Sequence, residues 1–331
     1  MREGAEDFLA LHGFGAARRE ALPSDASFRS YVRLHGGPRP ALLMDAPPPQ
    51  EDVRPFLAVG AHLAAIGVSA PEVIAADLAR GFLLLEDLGR ETMAAQLDAG
   101  ADPLPLYLAA AEALAALHAA PPPAQLPAWD APRMGETAAA TFLQWWWPEV
   151  FGTPPAPEIT AEFHAAMARM LAPFAAEGFV HRDFFPANLM PLPARAAPRH
   201  VGIIDFQDAA RGHPAYDLVS LVEDARRDVA PAVRDAAVTR YLALRPDLDP
   251  AEFRAAMAVQ AAQRHLRVAA LWTRLARRDG KWHYLRHGPR CWALLEHALA
   301  HAATAPLRAF LDAHVPSGLR ANPASLREQA A

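Results

Sequence analysis

Lysine is nearly absent from this chain: Lys281 is the only one, although lysines and arginines together number 32. Codon bias accounts for such a deficit and predicts arginine wherever a plain positive charge suffices, but not where a site needs a compact ammonium. Cysteine is as scarce, and a lone Cys291 excludes an internal disulfide. No uncharged apolar run reaches the ~18 residues of a membrane span, because His, Glu, Arg or Pro interrupts the alanine-rich segments. A formal net charge of −5 leaves no basic footprint for nucleic acid. The opening MREGAEDFLALHGFG carries acids where a secretory signal would be basic and then apolar, so a cytoplasmic protein with a small-molecule partner is expected. The 14 histidines form no H-E-x-x-H pair, and neither a G-x-S-x-G elbow nor a G-x-x-x-x-G-K-[ST] loop occurs. Zinc chemistry, a hydrolase nucleophile and a Walker-type loop are thereby disfavoured.

What is present suggests two lobes, since 331 residues at 52% hydrophobic exceed one compact core. RREALP, FRSYVRLHG, PALLMDAP, PEVIAAD and GFLLLEDLG show short apolar runs between turn residues, which predicts a small antiparallel sheet over residues 1–90. PQEDVRPFLAVGAHLAAIGV interrupts them with helical spacing, and Glu51 and Asp52 are expected in its first turn. Residues 91–331 read as a larger, mainly helical lobe: LPLYLAAAEALAALHAA, a proline-rich connector at 121–132, ITAEFHAAMARMLAPFAAEG, and about four helices after residue 213. The tail beyond Pro316 reads as loosely ordered. The fold class is therefore α+β.

VHRDFFPANLM places Asp183 five residues before Asn188, and HVGIIDFQDAARGHPAYDL ends a buried strand, Val201 to Ile204, on Asp205. Transfer of a γ-phosphoryl group needs a residue that orients or deprotonates the attacking hydroxyl, and oxygen ligands that hold Mg²⁺ against the phosphates. Asp183 and Asn188 match the spacing of H-R-D-x-x-x-x-N, and I-D-F stands where protein kinases carry D-F-G. Asp205 is the main candidate Mg²⁺ ligand. His181 and Arg182 are expected to brace the loop, and Asp217 to anchor it or cap the helix after it.

HRDFFPANLM, IIDFQDA and GHPAYDLVSL resemble the aminoglycoside phosphotransferase and choline kinase-like family over nearly the whole chain. The resemblance implies a protein kinase-like bilobal fold, ATP and Mg²⁺ as cofactors, Asp183 as catalytic base, and Asn188 and Asp205 as metal ligands. LPSDASFRSYVRL, LLMDAPPP, LLLEDLG, the tryptophan cluster and RLARRDGKWHYL further resemble its peptidoglycan-recycling sugar kinases. They imply amino-sugar acceptors, N-acetylmuramate and N-acetylglucosamine, phosphorylated at the C1 hydroxyl. Other hydroxyl acceptors, such as an aminoglycoside or a choline-like alcohol, are the alternative.

The family pattern also exposes a departure. A lysine on the third strand should meet the α- and β-phosphates, yet ALLMDAP offers Met44 there. Two readings follow: a pseudokinase, or a site whose cation comes from elsewhere, with Arg29 and Arg33 nearest. Ser24 and Ser27, flanking Asp25 and Ala26, replace the glycines of the phosphate-covering loop and can still bring N–H and hydroxyl donors to phosphate. The backbone from Glu86 to Leu88 would meet the adenine edge, with Leu84 or Leu85 lining its pocket. On the acceptor side, Asp208 suits a sugar hydroxyl and Arg211 a carboxylate or phosphate, although both also read as surface charges. In QWWWP, Trp145 is a candidate to stack on a sugar while at least one neighbour is core. Gln260, Arg264 and Arg267 share one helix face, which either lines the acceptor pocket or faces solvent.

Overall fold

The computed structural model describes residues 1–23 and 28–327. Helix α1 (Ala5–Leu11) precedes β1 (Arg18–Ala21), β2 (Ser30–His35) and β3 (Ala41–Asp45); α2 (Arg54–Ala65) follows, then β4 (Val73–Asp77) and β5 (Phe82–Glu86). The five strands form one antiparallel sheet in the order β1-β2-β3-β5-β4. Each grew from one of the runs read as strands. Alternation sorts their side chains: Val32, Leu34, Ala41, Leu43, Phe82 and Leu84 pack with Phe8 and Leu9 of α1 on one face, while Met44 belongs to the other.

Helix α2 buries Phe56, Val59, Gly60 and Leu63, the i, i+3, i+4, i+7 stripe expected of it. Glu51 and Asp52 do not enter its first turn, which holds no acid. Asp52 instead accepts from the backbone N–H of Arg54 at 3.0 Å ahead of the helix, and Glu51 is drawn away by the backbone N–H of Phe28 at 3.1 Å.

Beyond β5 come α3 (Met93–Asp98) and α4 (Pro103–Ala119), then β6 (Ala128–Trp129) within the proline-rich connector, α5 (Ala131–Thr141), a π-helical turn at Phe142–Trp146, α6 (Trp147–Phe151) and α7 (Pro157–Leu171). Strands β7 (Gly178–Val180), β8 (Leu189–Pro191), β9 (Val201–Ile203) and β10 (Ala210–Gly212) follow. Helices α8 (Ala215–Val222), α9 (Pro231–Ala243), α10 (Pro250–Asp279), α11 (Gly288–Leu299), α12 (Ala305–His314) and α13 (Ala324–Arg327) complete the chain, two more than the count read from sequence. The chain divides into two compact units, one of residues Met1–Leu117 with Pro186–Ala209, the other of His118–Phe185 with Ala210–Ala331.

Helix α10 is the axis of the second unit and packs against α5, α8 and α11. Asp249 caps it by accepting from the N–H groups of Ala251 and Glu252 at 2.9 and 2.8 Å, and Gly280 ends it in a left-handed conformation. So much of its circumference is covered that polar side chains are buried and need partners: the Gln263 amide donates to the Met134 carbonyl at 2.9 Å, and His265 meets Glu223 at 2.8 Å. As far as Leu326 the tail is docked, contrary to the sequence reading. Leu326 is fully buried, the Trp146 indole donates to the Ala321 carbonyl at 2.8 Å, and Asn322 donates to the Leu285 carbonyl at 2.6 Å. Among the described residues no helix is long and apolar enough to cross a membrane.

Two stability predictions follow. Gly81 turns the chain between β4 and β5 at φ 74°, and a Cβ there would stand 2.0 Å from the Ala46 carbonyl oxygen; Gly81→Ala should cost about 3 kcal/mol, read as a lower urea midpoint. Burial pushes His213 down from 6.5 to about 4, and its Nδ1 accepts the Ala215 N–H at 3.1 Å. The ring is neutral when folded and protonates on unfolding, so its stabilisation is complete above pH 6.5 and is lost as pH falls towards 4. His213→Asn, which keeps an acceptor, should make the melting temperature less sensitive to pH across that window; an unaltered slope would reject the assignment.

Candidate functional site

In the first unit, β8 and β9 form an antiparallel hairpin that pairs Leu189 with Ile203, and the Ile204 N–H donates to the Asn188 carbonyl at 3.1 Å. This pairing places Asn188 and Asp205 at the same end of the hairpin. Asp205 has a φ of 61°, in the left-handed region that a Cβ disfavours and that Asp tolerates better than most residues. The next residue supplies the anchor: Phe206 is fully buried, 4.6 Å from the Phe56 ring, and its edge lies where a Cβ on Gly60 would touch it. Asp205 itself remains 47% exposed, with the Gln207 amide donating to it at 2.9 Å.

The cation at this end is Arg29. Its guanidinium lies 4.0 Å from Asp205 and 3.5 Å from Glu51, and only 15% of the side chain is exposed. Tyr31 shares the cluster: burial pushes its hydroxyl pKa up, Arg29 opposes that rise, and Asp205 and Glu51 add to it. Met44, opposite Tyr31 and Leu83 in the sheet, is 1% exposed and offers no charge.

Other residues proposed for nucleotide contact fare differently. Arg33 points to Asp87, donating to its two carboxylate oxygens at 2.6 and 3.0 Å and to the Gly89 carbonyl at 2.6 Å, so its guanidinium ties β2 to the segment after β5. The Glu86 N–H donates to the Glu72 carbonyl at 2.8 Å, and its carboxylate binds Arg195 at 2.5 Å. Leu88 packs where Gly202 lacks a side chain; a Cβ there would lie 2.7 Å from its Cδ1. Ser24 and Ser27 lie outside the described residues.

The second unit holds Asp183. Fully buried Asp217 accepts the backbone N–H groups of His181 at 2.6 Å and Arg182 at 2.9 Å. His118 lies 3.4 Å from the same carboxylate and 2.9 Å from the Tyr241 hydroxyl; burial pushes its pKa down although Asp217 pulls the other way. The His181 Nδ1 accepts the Asp183 N–H at 3.3 Å, and the Arg182 guanidinium lies 4.5 Å above the Trp129 ring. Bracing, the role expected for His181 and Arg182, is the role these contacts describe. Arg182 too has a left-handed φ, 76°, so the residues just before Asp183 and at Asp205 carry the two positive-φ side chains among the described non-glycine residues.

The acceptor-side candidates divide as well. Asp208 is exposed in the first unit, whereas Arg211 belongs to the second, where it donates to the Leu126 carbonyl at 3.1 Å and to Glu177 at 2.9 Å. Trp146 and Trp147 are core, and Trp145 is partly exposed on the π-helical turn. Gln260 and Arg264 are buried, so the face they share is not solvated. Arg264 donates to the Ser220 hydroxyl at 2.8 Å and Arg267 to the Tyr216 hydroxyl at 3.1 Å; Tyr216 and Asp183 both favour the Arg267 charge. Arg274 and Arg226 were missed from sequence. Arg274 continues the Arg267 face two turns on, a signal the spacing contained, while Arg226, 4.8 Å over the Phe185 ring, lies in a loop no periodicity could place.

The family model described as the phosphotransferase enzyme family matches residues 18–255. The N-acetylmuramate/N-acetylglucosamine kinase of Caulobacter vibrioides is 38% identical over 95% of this chain and 97% of its own length. The kinase of the same name from Pseudomonas aeruginosa is 37% identical over 91% of this chain and 90% of its own. Among solved structures, a choline/ethanolamine kinase family protein from Mesorhizobium loti matches with a TM-score of 0.63 at 18% identity, over 93% of this chain and 97% of that one, a likeness of fold. With a small antiparallel sheet before a mainly helical part, and a match running from β1 into α10, the chain belongs to the phosphotransferase enzyme family.

Proposed function

We propose that this protein is an ATP- and Mg²⁺-dependent kinase acting on the C1 hydroxyl of N-acetylmuramate and N-acetylglucosamine, in the cytoplasmic recycling of peptidoglycan sugars. The observation that carries this reading is the 37–38% identity to kinases named for those two sugars over more than nine-tenths of the chain. In functional terms, residues 1–90 would serve as the nucleotide-binding lobe and residues 91–331 as the lobe of the catalytic loop, metal ligands and acceptor pocket.

In this reading Asp183 receives the proton of the attacking hydroxyl, and the bracing of its loop by Asp217 holds the base in place. Asn188 and Asp205 present hard oxygen donors from one end of one hairpin, a set that suits Mg²⁺. The described residues contain no group of three or more His, Cys, Asp or Glu able to enclose a metal, and an ion shared with phosphate oxygens needs no such cage. Bound there, Mg²⁺ would neutralise phosphate charge. Arg29 takes the part of the missing lysine: its guanidinium already lies beside Asp205, and a bidentate fork suits phosphate oxygens. A pseudokinase is the second reading, favoured by Met44 alone.

Release of ADP in a coupled assay with a panel of sugars, choline and aminoglycosides separates these readings; binding of ATP without turnover on any acceptor would favour the pseudokinase. Asp183→Ala should reduce kcat by about 10²–10⁴ and Asp205→Ala should abolish turnover, with melting temperatures near that of the parent protein; an active Asp205→Ala enzyme refutes the metal assignment. Arg29→Met should lower kcat/KM for ATP about 100-fold. Met44→Lys should not raise the rate, because it buries an ammonium at a position 1% exposed; a large gain would return the role to that strand.

A further inference from the structure

A buried guanidinium is tolerated only where something meets its charge and its five donors. On α10 of the second unit, Arg264, Arg267 and Arg274 leave donors unmatched: Nε and Nη1 of Arg264, Nε of Arg267 and Nε of Arg274 are buried without a hydrogen-bond partner. Among the described residues none of the three forms a salt bridge, and the contacts of the first two are neutral hydroxyls, Ser220 and Tyr216.

The three differ in what surrounds them. Arg264 lies in the field of buried Asp224 and is thereby partly compensated within the protein. Burial opposes the charge of Arg267, while Tyr216 and the charge of Asp183 favour it. Arg274, seven residues on and therefore on the same face of the helix, is disfavoured in its charged form by burial and by the neighbouring charges of Arg278 and Arg267, with Asp279 only partly offsetting them. Arg226 adds a further cation on the loop after α8, its guanidinium 4.8 Å over Phe185 and 5.6 Å over Trp272. A strip of arginines along α10 that makes no ion pair among the described residues suits an anion. It is a poor surface for a polycationic acceptor.

We propose that Arg274, acting with Arg267, is a specificity-determining residue that holds a carboxylate on the acceptor sugar. This rests on the sugar-kinase reading and deepens it. N-acetylmuramate and N-acetylglucosamine differ by the lactyl ether on O3, which carries the only ionised group of either sugar. The Arg274 guanidinium, on the Arg267 face of α10 but two turns farther along it, meets that arm while Asp183 addresses C1. The γ-phosphate of the nucleotide is the other anion that could use the strip, and the two sources give different kinetics.

The test measures kcat and KM of the full chain for both sugars and for ATP, by coupled ADP release. In Arg274→Gln the ratio of kcat/KM for N-acetylmuramate to that for N-acetylglucosamine should fall about 10- to 100-fold, the factor of one lost charge-assisted hydrogen bond. The fall should reside in the N-acetylmuramate KM, and Arg274→Lys should recover part of it. Independently of any variant, the parent enzyme should discriminate against the methyl amide of N-acetylmuramate, which keeps the arm and loses its charge, by a similar factor. An unchanged ratio, or full activity on the amide, overturns the proposal. Equal loss on both sugars with a raised KM for ATP also overturns it and assigns Arg274 to the triphosphate. A parent enzyme that phosphorylates neither sugar defeats the function reading itself, and the carboxylate site with it.

Discussion

The carboxylate of Asp217 is the fixed point of the second unit. It is fully buried and accepts two consecutive backbone N–H groups, those of His181 and Arg182. Backbone donors that point into a protein interior must be satisfied, at a cost of about 1–3 kcal/mol each if they are not. Arg182 adopts a left-handed conformation that its Cβ disfavours, and this grip is what makes that conformation affordable. The strain is therefore held in place from the helix after the loop, by a residue that never needs to touch a substrate. His118 and Tyr241 complete the polar network around the acid, so the interior beneath the loop is hydrogen-bonded and cannot relax into an alternative packing without orphaning polar atoms.

The first unit solves a similar problem by other means. Asp205 also stands at positive φ, but here the hairpin β8–β9 and the buried Phe206 on either side of it supply the restraint. Its charge is answered by Arg29 rather than by anything on β3. Met44 on β3 is buried, 1% exposed, whereas Arg29 has Glu51 and Asp205 beside it to offset its charge. The guanidinium beside Asp205 thus comes from Arg29, just ahead of β2, and not from β3.

Carboxylate partners, not burial, separate the arginines that tie the fold together from those whose charge the protein leaves unmatched. Arg33 and Arg211 are matched by Asp87 and Glu177, so their charges belong to the fold. Arg267 and Arg274 have no such partner among the described residues. In a sequence this rich in arginine the residue type carries little information, and only the count of satisfied donors distinguishes one use from the other.

By itself the sequence determined the local and the periodic: five strand segments with their inward faces, the major helices, and the spacing of Asp183, Asn188 and Asp205, because side-chain alternation, turn residues and short motifs act over a few positions. It also settled the family, since HRDFFPANLM and IIDFQDA are contiguous. What it left open needed atoms brought together from far along the chain. Arg33 reaches Asp87 across 54 positions and Trp146 reaches Ala321 across 175, and no window of sequence records those contacts. The fate of each guanidinium, the docking of the tail and the displacement of Glu51 from its helix were decided by tertiary structure, because which charge meets which partner is set by packing and desolvation summed over the whole core.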